Sequence, residues 1–330
     1  MTIPDEYFHA DFWASSGWMA PWLRTVDPAY WRAMIPAIGE NLITRKSGWQ
    51  SAILTQEGQQ RIRIQLCTRM SQASELFVPW LEQERPLSGL NILEIGCGSG
   101  SATAALTRAG ARVTGVDIQG PSLKVARIRL PVLGLEADFR QVAPDWLEHD
   151  VDPAAFSGPY DLVLCYAVLE HLLIPERFNL LALVKHIMQR DGAMFGIFET
   201  PNRFAPYDWH SSKLAFGDSL PDELAFAFAK ARSEKKAHPS KRYDSFTPEA
   251  QKNLYRGGRG VSWHEYDLAF GMENFDVVLD GYSPRSGNQK NYKPDEAYET
   301  ALENLFAKMY PPVPRGFCRP SLELLIKLRA

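Results

Sequence analysis

The stretch Glu94-Ile95-Gly96-Cys97-Gly98-Ser99-Gly100 sits between a short apolar run, Asn91–Ile95, and a segment that reads as a helix, Ser101–Arg108. Glycines at 96, 98 and 100 let the backbone turn tightly and come close to a ligand. The helix start behind them offers unpaired N–H groups to an anionic or polar group. Asp117 closes the next expected strand about twenty residues on, where a carboxylate can accept hydrogen bonds from both hydroxyls of a ribose. The plain alternative is an ordinary tight strand–helix turn. The dinucleotide fingerprint G-x-G-x-x-G/A is not met: counting from Gly96 puts Ser101 in third place, and counting from Gly98 puts Thr103 there. A nicotinamide or flavin dinucleotide is therefore disfavoured.

Outward from the turn, strands alternate with helices. Val113–Val116 reads as a strand, Ser122–Leu130 as a helix, Leu133–Arg140 as a weaker strand and Tyr160–Tyr166 as a fourth. Glu176–Arg190 reads as a helix stopped by Asp191-Gly192, and Ala193–Phe198 as the next strand. This alternation predicts a parallel sheet covered on both faces. Residues 201–260 break the pattern with aromatic and polar residues and a basic run that includes Lys235, Lys236, Lys241 and Arg242. Ser262–Phe270 (helix), Phe275–Leu279 (strand), Asp295–Met309 (helix) and Leu322–Leu328 (strand) resume it. Ahead of the turn, Trp13, Trp18, Trp22, Trp31 and Trp49 crowd the first part of the chain. Arg61–Glu84 there reads as one helix with Leu66, Met70, Phe77, Val78 and Leu81 on its apolar face.

Leu93–Gly100 with Val116-Asp117 resembles the first motif and following acidic residue of class I S-adenosylmethionine-dependent methyltransferases. Tyr160-Asp161-Leu162-Val163 through Leu169-Glu170-His171-Leu172, and Asp191-Gly192-Ala193 with its apolar strand, resemble the fourth and fifth strands of that family. The resemblance implies an α/β fold, a doubly wound seven-stranded sheet that is mostly parallel with the last strand antiparallel. It implies S-adenosylmethionine as cofactor and S-adenosylhomocysteine as product. Gly96, Gly98 and Gly100, with Glu94 and Cys97 in the same turn, would wrap the methionine part. Asp117 would hold the ribose, and Ile118, Asp138 and Phe139 would lie by the adenine, with Tyr166 at the end of the fourth strand. The expected organisation is a helical cap over 1–88 and a methyltransferase domain over 89–330, carrying a substrate-cap insertion at 201–260.

Methyl transfer is an in-line displacement, so the protein must hold the nucleophile close and aligned. A hydroxyl also needs a base. His171, Glu199 and His210 are the candidate catalytic groups. Glu170, Asn202, Arg203, Tyr207, Asp208, Tyr243, Arg256, Arg259 and His264 are candidate substrate contacts. Arginine forks suit carboxylate or phosphate recognition, and Arg256-Gly257-Gly258-Arg259-Gly260 looks like an anion-binding turn. For each, a packing or surface role is the competing reading. Trp13, Trp18 and Trp22 could face a sulfonium through cation–π attraction, although tryptophans in such a zone more often form core or dimer contacts.

The chain has 330 residues, 45% of them hydrophobic and 23% charged, with a formal net charge of -3. Such a balance gives no reason to expect a nucleic-acid partner, and the basic run lacks interleaved aromatics. Cys67, Cys97, Cys165 and Cys318 show no metal-ligand spacing, so no metal is expected. Neither a signal peptide nor a membrane-length apolar stretch is evident, which points to the cytoplasm and away from a membrane. A homodimer is left open. The sequence thus predicts methyl transfer to O, N or S of a small polar molecule, neutral or anionic: an amino acid, a sugar or a natural-product intermediate. A methyltransferase acting on RNA, lipid-linked glycan or protein, a non-catalytic cofactor-binding protein and a non-methyl enzyme of the same fold stand as alternatives.

Overall fold

The computed structural model describes residues 3–15, 17–43, 48–156, 158–208, 214–234, 247–281 and 296–329. Strands run over Asn91–Ile95 (β1), Arg112–Asp117 (β2), Asp138–Gln141 (β3), Leu162–Tyr166 (β4), Met194–Pro201 (β5), Phe275–Asp280 (β6) and Ser321–Leu328 (β7). They form a seven-stranded sheet of order β3-β2-β1-β4-β5-β7-β6. β2 lies parallel to β1 and β3, while β7 is antiparallel to both β5 and β6. This is the doubly wound α/β architecture with a reversed last strand that the sequence predicts. The weak strand expected at Leu133–Arg140 is the short β3, since the preceding helix runs on to Val132. The chain divides into two compact units, one built on Met1–Pro144 and Tyr160–Leu162, the other on Asp145–Pro159, Val163–Gly281 and the C-terminal part.

In the first unit, the helix Ser101–Arg108 begins at Gly100, whose φ of 74° is left-handed. A Cβ on Gly100 would stand 3.0 Å from the Ala126 Cβ, so glycine also lets the turn press against the helix Gly120–Val132. The N-terminal residues do not build a separate core. Trp13, Tyr30, Trp31, Met34, Leu66 and Met70 join one buried cluster with Ala104, Val125 and Leu130 of the helices that follow β1 and β2. Helix Pro28–Leu42 is set by Asp27, whose side chain accepts from Ala29 N, and by proline in its first turn.

The single helix expected over Arg61–Glu84 starts earlier, at Gln56, where the Thr55 hydroxyl caps Gly58 N at 3.1 Å. It then passes through two π-helical turns, Ile64–Thr68 and Ala73–Phe77, before ending with Val78–Leu81. Leu66, Met70, Phe77, Val78 and Leu81 are all buried. The apolar face is kept because each π turn takes its extra residue into a wider turn, leaving the buried residues before and after it on one side. Trp13 and Trp31 are enclosed, and Trp13 Nε1 donates to Tyr7 O at 2.7 Å. The face of Trp22 carries the Arg108 guanidinium at 4.6 Å, so its cation is supplied from within. Trp18 is exposed.

In the second unit, helix Ile174–Met188 opens with Pro175, and the Glu176 carboxylate accepts from Leu173 N at 2.8 Å. The β5–β7 register shifts between Ile197 and Thr200, a bulge in which Phe198 and Glu199 stand opposite the single residue Glu323. Segment 201–260 contains helices Asp222–Glu234 and Pro248–Arg256 among its described residues. Arginines fix the latter part of that segment to helix Ile174–Met188. Arg256 grips Glu176 with both terminal nitrogens, and Arg177, wholly buried, donates to Glu265 at 3.1 Å and to the carbonyls of Arg259 and Gly260.

Candidate functional site

The glycine turn lies in the first unit. Gly96, Gly98 and Gly100 have φ of 75°, 53° and 74°, a conformation that L side chains rarely adopt. Gly96 N and Cys97 N donate to Val116 O at 2.7 and 3.1 Å, folding the turn back over β2. A Cβ on Gly98 would meet nothing within 4 Å, so the face of the turn at Gly98 opens outward. Asp117 accepts from Gly98 N through Oδ2 and from Gln119 N through Oδ1, both at 2.7 Å. Each oxygen has room for a second donor. The carboxylate therefore shapes the turn and can still receive a diol. Ile118, next in sequence, is 37% exposed, an apolar side chain held at the surface beside that carboxylate.

The other cofactor candidates divide. Glu94 is enclosed. Its Oε2 accepts from Thr103 Oγ1 at 2.5 Å, and burial pushes its carboxyl up to about 8. It ties β1 to the next helix rather than presenting an acceptor outward, because its position inside the strand turns it into the core. Cys97 is buried with its sulfur close to Gly115, and burial pushes the thiol well up. Asp138 is exposed and paired with Arg140 Nε at 2.7 Å. Phe139 packs against the N-terminal core and its carbonyl accepts from Arg127.

In the second unit, the ends of β4 and β5 converge. Ala167 and Glu199 both have left-handed backbones, φ 53° and 50°, and Ala167 N donates to Phe198 O at 2.8 Å. Non-glycine residues in that region store strain, and such residues cluster at functional sites. The Tyr166 hydroxyl donates to Glu199 Oε1 at 2.9 Å, with the tyrosine ring stacked on Phe198. Glu170 is fully buried. Burial pushes it up to about 8, and Thr200 Oγ1 reaches its Oε2 at 3.5 Å. Glu170 Oε1 has no hydrogen-bond partner among the described residues and faces His171 Nε2 at 3.7 Å. His171 Nδ1 lies 3.1 Å from Arg256 O. A carbonyl can only accept, so Nδ1 donates there and Nε2 of the neutral ring is the acceptor. Tyr166, Glu170, His171, Glu199 and Thr200 thus make one cluster of proton-bearing groups.

The proposed substrate contacts beyond this cluster are largely engaged inside the protein. Arg259 is fully buried, donating to Gly217 O, Leu220 O and Asp222, and lies 3.6 Å from Asp218. Arg256 is bidentate on Glu176. The amides of their glycine-rich turn serve the chain itself: Gly260 N donates to Asp218 Oδ1 and Arg259 N to Glu170 O. These arginines brace the fold instead of offering free forks. Asn202 is buried and donates to Phe317 O and Arg319 O. Asp208 is buried. Arg203 Nε donates to Gly260 O at 3.3 Å, and Tyr207 sits in a bridge to Ala215. His264 is exposed and stacks on Trp263. His210 and Tyr243 lie outside the described residues.

Thr103, Thr200 and Asp218 complete these arrangements and were not singled out in the sequence, where lone threonines and an aspartate between loops carry no pattern. Among the described residues no group of three His, Cys, Asp or Glu could hold a metal ion, and no helix is long and apolar enough to cross a membrane. All four cysteines are buried thiols.

Residues 93–194 match a family model described as a methyltransferase domain. A ubiquinone biosynthesis O-methyltransferase of Thiobacillus denitrificans is 33% identical over 137 residues, 41% of this chain and 55% of that protein. Its counterpart in Maricaulis maris is 41% identical over 99 residues, 30% of this chain and 37% of that protein. The chain spans about half the length of the curated relatives it matches. Among solved structures, a magnesium protoporphyrin IX methyltransferase from Synechocystis PCC 6803 with bound S-adenosylhomocysteine aligns with a TM-score of 0.42 at 20% identity, covering 78% of this chain and 89% of that one.

Proposed function

We propose that this chain, which belongs to the class I S-adenosylmethionine-dependent methyltransferases, transfers the cofactor's sulfonium methyl group to a small polar molecule. The observation that carries the reading is the open glycine turn with Asp117 folded against it. The donors and acceptors there fit an adenosyl amino acid. The turn's glycines leave space for its methionine part, Asp117 receives the ribose diol, and Ile118 supplies apolar surface for the adenine. Asp138 and Phe139, on β3, are the further adenine contacts.

When bound, the cofactor supplies an electrophilic methyl carbon. The chain's own work is to hold the acceptor in line and take away its proton. Relatives named as O-methyltransferases favour a hydroxyl acceptor, and a hydroxyl must lose its proton as the new bond forms. Glu199, held by Tyr166, and His171, with Nε2 as acceptor, are the proton-accepting candidates. The strained backbone at Ala167 and Glu199 supports a functional role for this cluster. Segment 201–260 is the proposed substrate cap and the N-terminal helices the cofactor-side cap. Arg203 and Tyr207 are its nearest substrate candidates, since Arg256 and Arg259 are taken up internally.

The test is a side-by-side calorimetric titration with S-adenosylmethionine, S-adenosylhomocysteine and NAD. Binding of both adenosyl compounds and not of NAD is expected. A folded sample that binds neither adenosyl compound defeats the proposal. Transfer from labelled cofactor to phenolic, sugar and amino-acid acceptors then identifies the acceptor atom.

A further inference from the structure

Arg129 sits in helix Gly120–Val132, in the first unit, and is entirely buried. Its guanidinium meets neutral acceptors. Nε donates to Ser99 O at 2.8 Å, Nη2 to Gln65 O at 2.6 Å, and Nη1 to the Tyr30 hydroxyl at 3.0 Å and Leu66 O at 3.4 Å. Among the described residues no carboxylate is paired with it. A buried guanidinium without a counter-ion is costly to keep, and one that persists has every donor directed by its surroundings. Here those surroundings are three separate pieces of chain, one of them helix Pro28–Leu42, which carries Tyr30. Ser99 belongs to the glycine turn. Gln65 and Leu66 belong to the π-helical turn Ile64–Thr68 of the N-terminal region. π turns re-aim backbone groups and recur at functional sites. A second tie runs beside the first: Ser99 Oγ donates to Gln65 Oε1 at 2.9 Å.

We infer that Arg129 is a positioning residue for the cofactor turn, fastening the Ser99 carbonyl to the N-terminal π turn so that Gly98 and Gly100 stand preorganised for the ligand. This rests on the adenosyl-cofactor reading of that turn. It carries the consequence that cofactor affinity depends on Gln65 and Leu66, which lie outside the matched residues 93–194. A guanidinium can span these four acceptors at once because its five N–H groups are fixed in one plane. An ammonium on a flexible stem cannot reproduce that span, even though it keeps the charge.

The experiment compares the full chain with Arg129→Lys, Arg129→Gln and Gln65→Ala. Each is checked for folding by circular dichroism, then measured for S-adenosylhomocysteine affinity and for amide hydrogen exchange over residues 96–100 without ligand. Expected for both Arg129 variants are at least tenfold weaker binding and faster exchange confined to the turn and the π turn, with lysine giving no rescue. For Gln65→Ala, which removes only the half-buried side-chain tie to Ser99 Oγ, a few-fold weakening is expected. Folded Arg129 variants with wild-type affinity, rescue by lysine, or unchanged exchange at 96–100 overturn the inference. Should neither Arg129 variant fold, Tyr30→Phe, measured in the same way, decides: it removes the hydroxyl that accepts from Arg129 Nη1 while keeping the ring, and wild-type affinity with wild-type exchange in it overturns the inference. Exchange in the ligand-free protein separates this result from the cofactor reading. A wild type that binds no adenosyl compound defeats the cofactor reading, while the brace still stands or falls on the exchange data.

Discussion

Asp117 carries two loads at once. It accepts from Gly98 N and Gln119 N, holding the turn, and it keeps acceptor capacity for a diol. Asp117→Ala is therefore expected to lower S-adenosylhomocysteine affinity by about 10–100-fold, the loss of one or two charge-assisted hydrogen bonds. Asp117→Asn is expected to lose nearly as much, since its NH2 group faces a backbone donor. Calorimetry on variants of wild-type melting temperature checks both, and undiminished affinity in a folded alanine variant removes Asp117 from the site. Glu199 makes the complementary case. Glu199→Gln keeps the side-chain shape and an oxygen facing Tyr166, yet removes the base. Turnover is expected to fall by roughly 10²–10⁴-fold with cofactor affinity nearly unchanged, and His171→Ala tests the other candidate the same way. If both retain full rate on the true acceptor, neither is the base. The glycines and Asp117 were legible because their chemistry is local: a strand, a tight turn and a carboxylate one strand later. The roles of Arg256 and Arg259 were not. Their partners Glu176 and Asp222 lie 80 and 37 residues away in sequence, so a run of arginines and glycines looked like free anion forks.

Elements were read most faithfully where an apolar run is bounded by glycine or proline. β1 and the helix Ser101–Arg108 fall where the sequence places them, and Gly192 with φ 75° ends the turn after the helix that follows β4. The π turns escaped, because each displaces the apolar spacing by a single position and the runs between them are too short to show the displacement. The bulge at Glu199 escaped too, as no glycine marks it. Two elements depend on contacts that can be tested directly. Arg177 is one of two arginine links, with Arg256, between helix Ile174–Met188 and residues 256–265. Arg177→Met leaves the Glu265 carboxylate without its partner in the interior, and a loss of about 3–5 kcal/mol is expected by denaturant unfolding. In the N-terminal region, a Cβ on Gly39 would fall 2.3 Å from the Trp49 ring. Gly39→Ala must push helix Pro28–Leu42 away from Trp49, costing about 1–3 kcal/mol despite the better helix propensity of alanine. A stabilised Gly39→Ala protein would show that helix Pro28–Leu42 and Trp49 part without strain.

Across the whole molecule, the buried carboxyls set how stability responds to pH. Burial raises Glu94 and Glu170 from 4.5 to about 8, and Asp218 from 3.8 to about 6. A carboxyl with a raised folded pKa binds its proton more tightly in the folded state than in the unfolded one. Its stabilising contribution is complete below the unfolded value and is lost as pH climbs through the folded value. For Glu94 and Glu170 that window runs from about 4.5 to about 8, and for Asp218 it runs from 3.8 to about 6. The pair Asp276–Arg329 acts in the opposite sense, holding its carboxyl below the ordinary range, but it is exposed and screened and has little weight. The melting temperature is thus expected to fall between pH 5 and pH 8, by several degrees at roughly 2–4 °C per kcal/mol. Glu94→Gln and Glu170→Gln should each flatten the slope while raising the melting temperature at pH 8, since an amide needs no proton to stay neutral. In Glu94→Gln the amide oxygen can still accept from Thr103, so the packing around it survives. Scanning calorimetry of the three proteins at matched ionic strength decides the matter. A wild-type curve that is flat or rises through this window, with both variants running parallel to it, would mean that the two carboxyls are ionised inside the fold and that burial is offset by partners elsewhere.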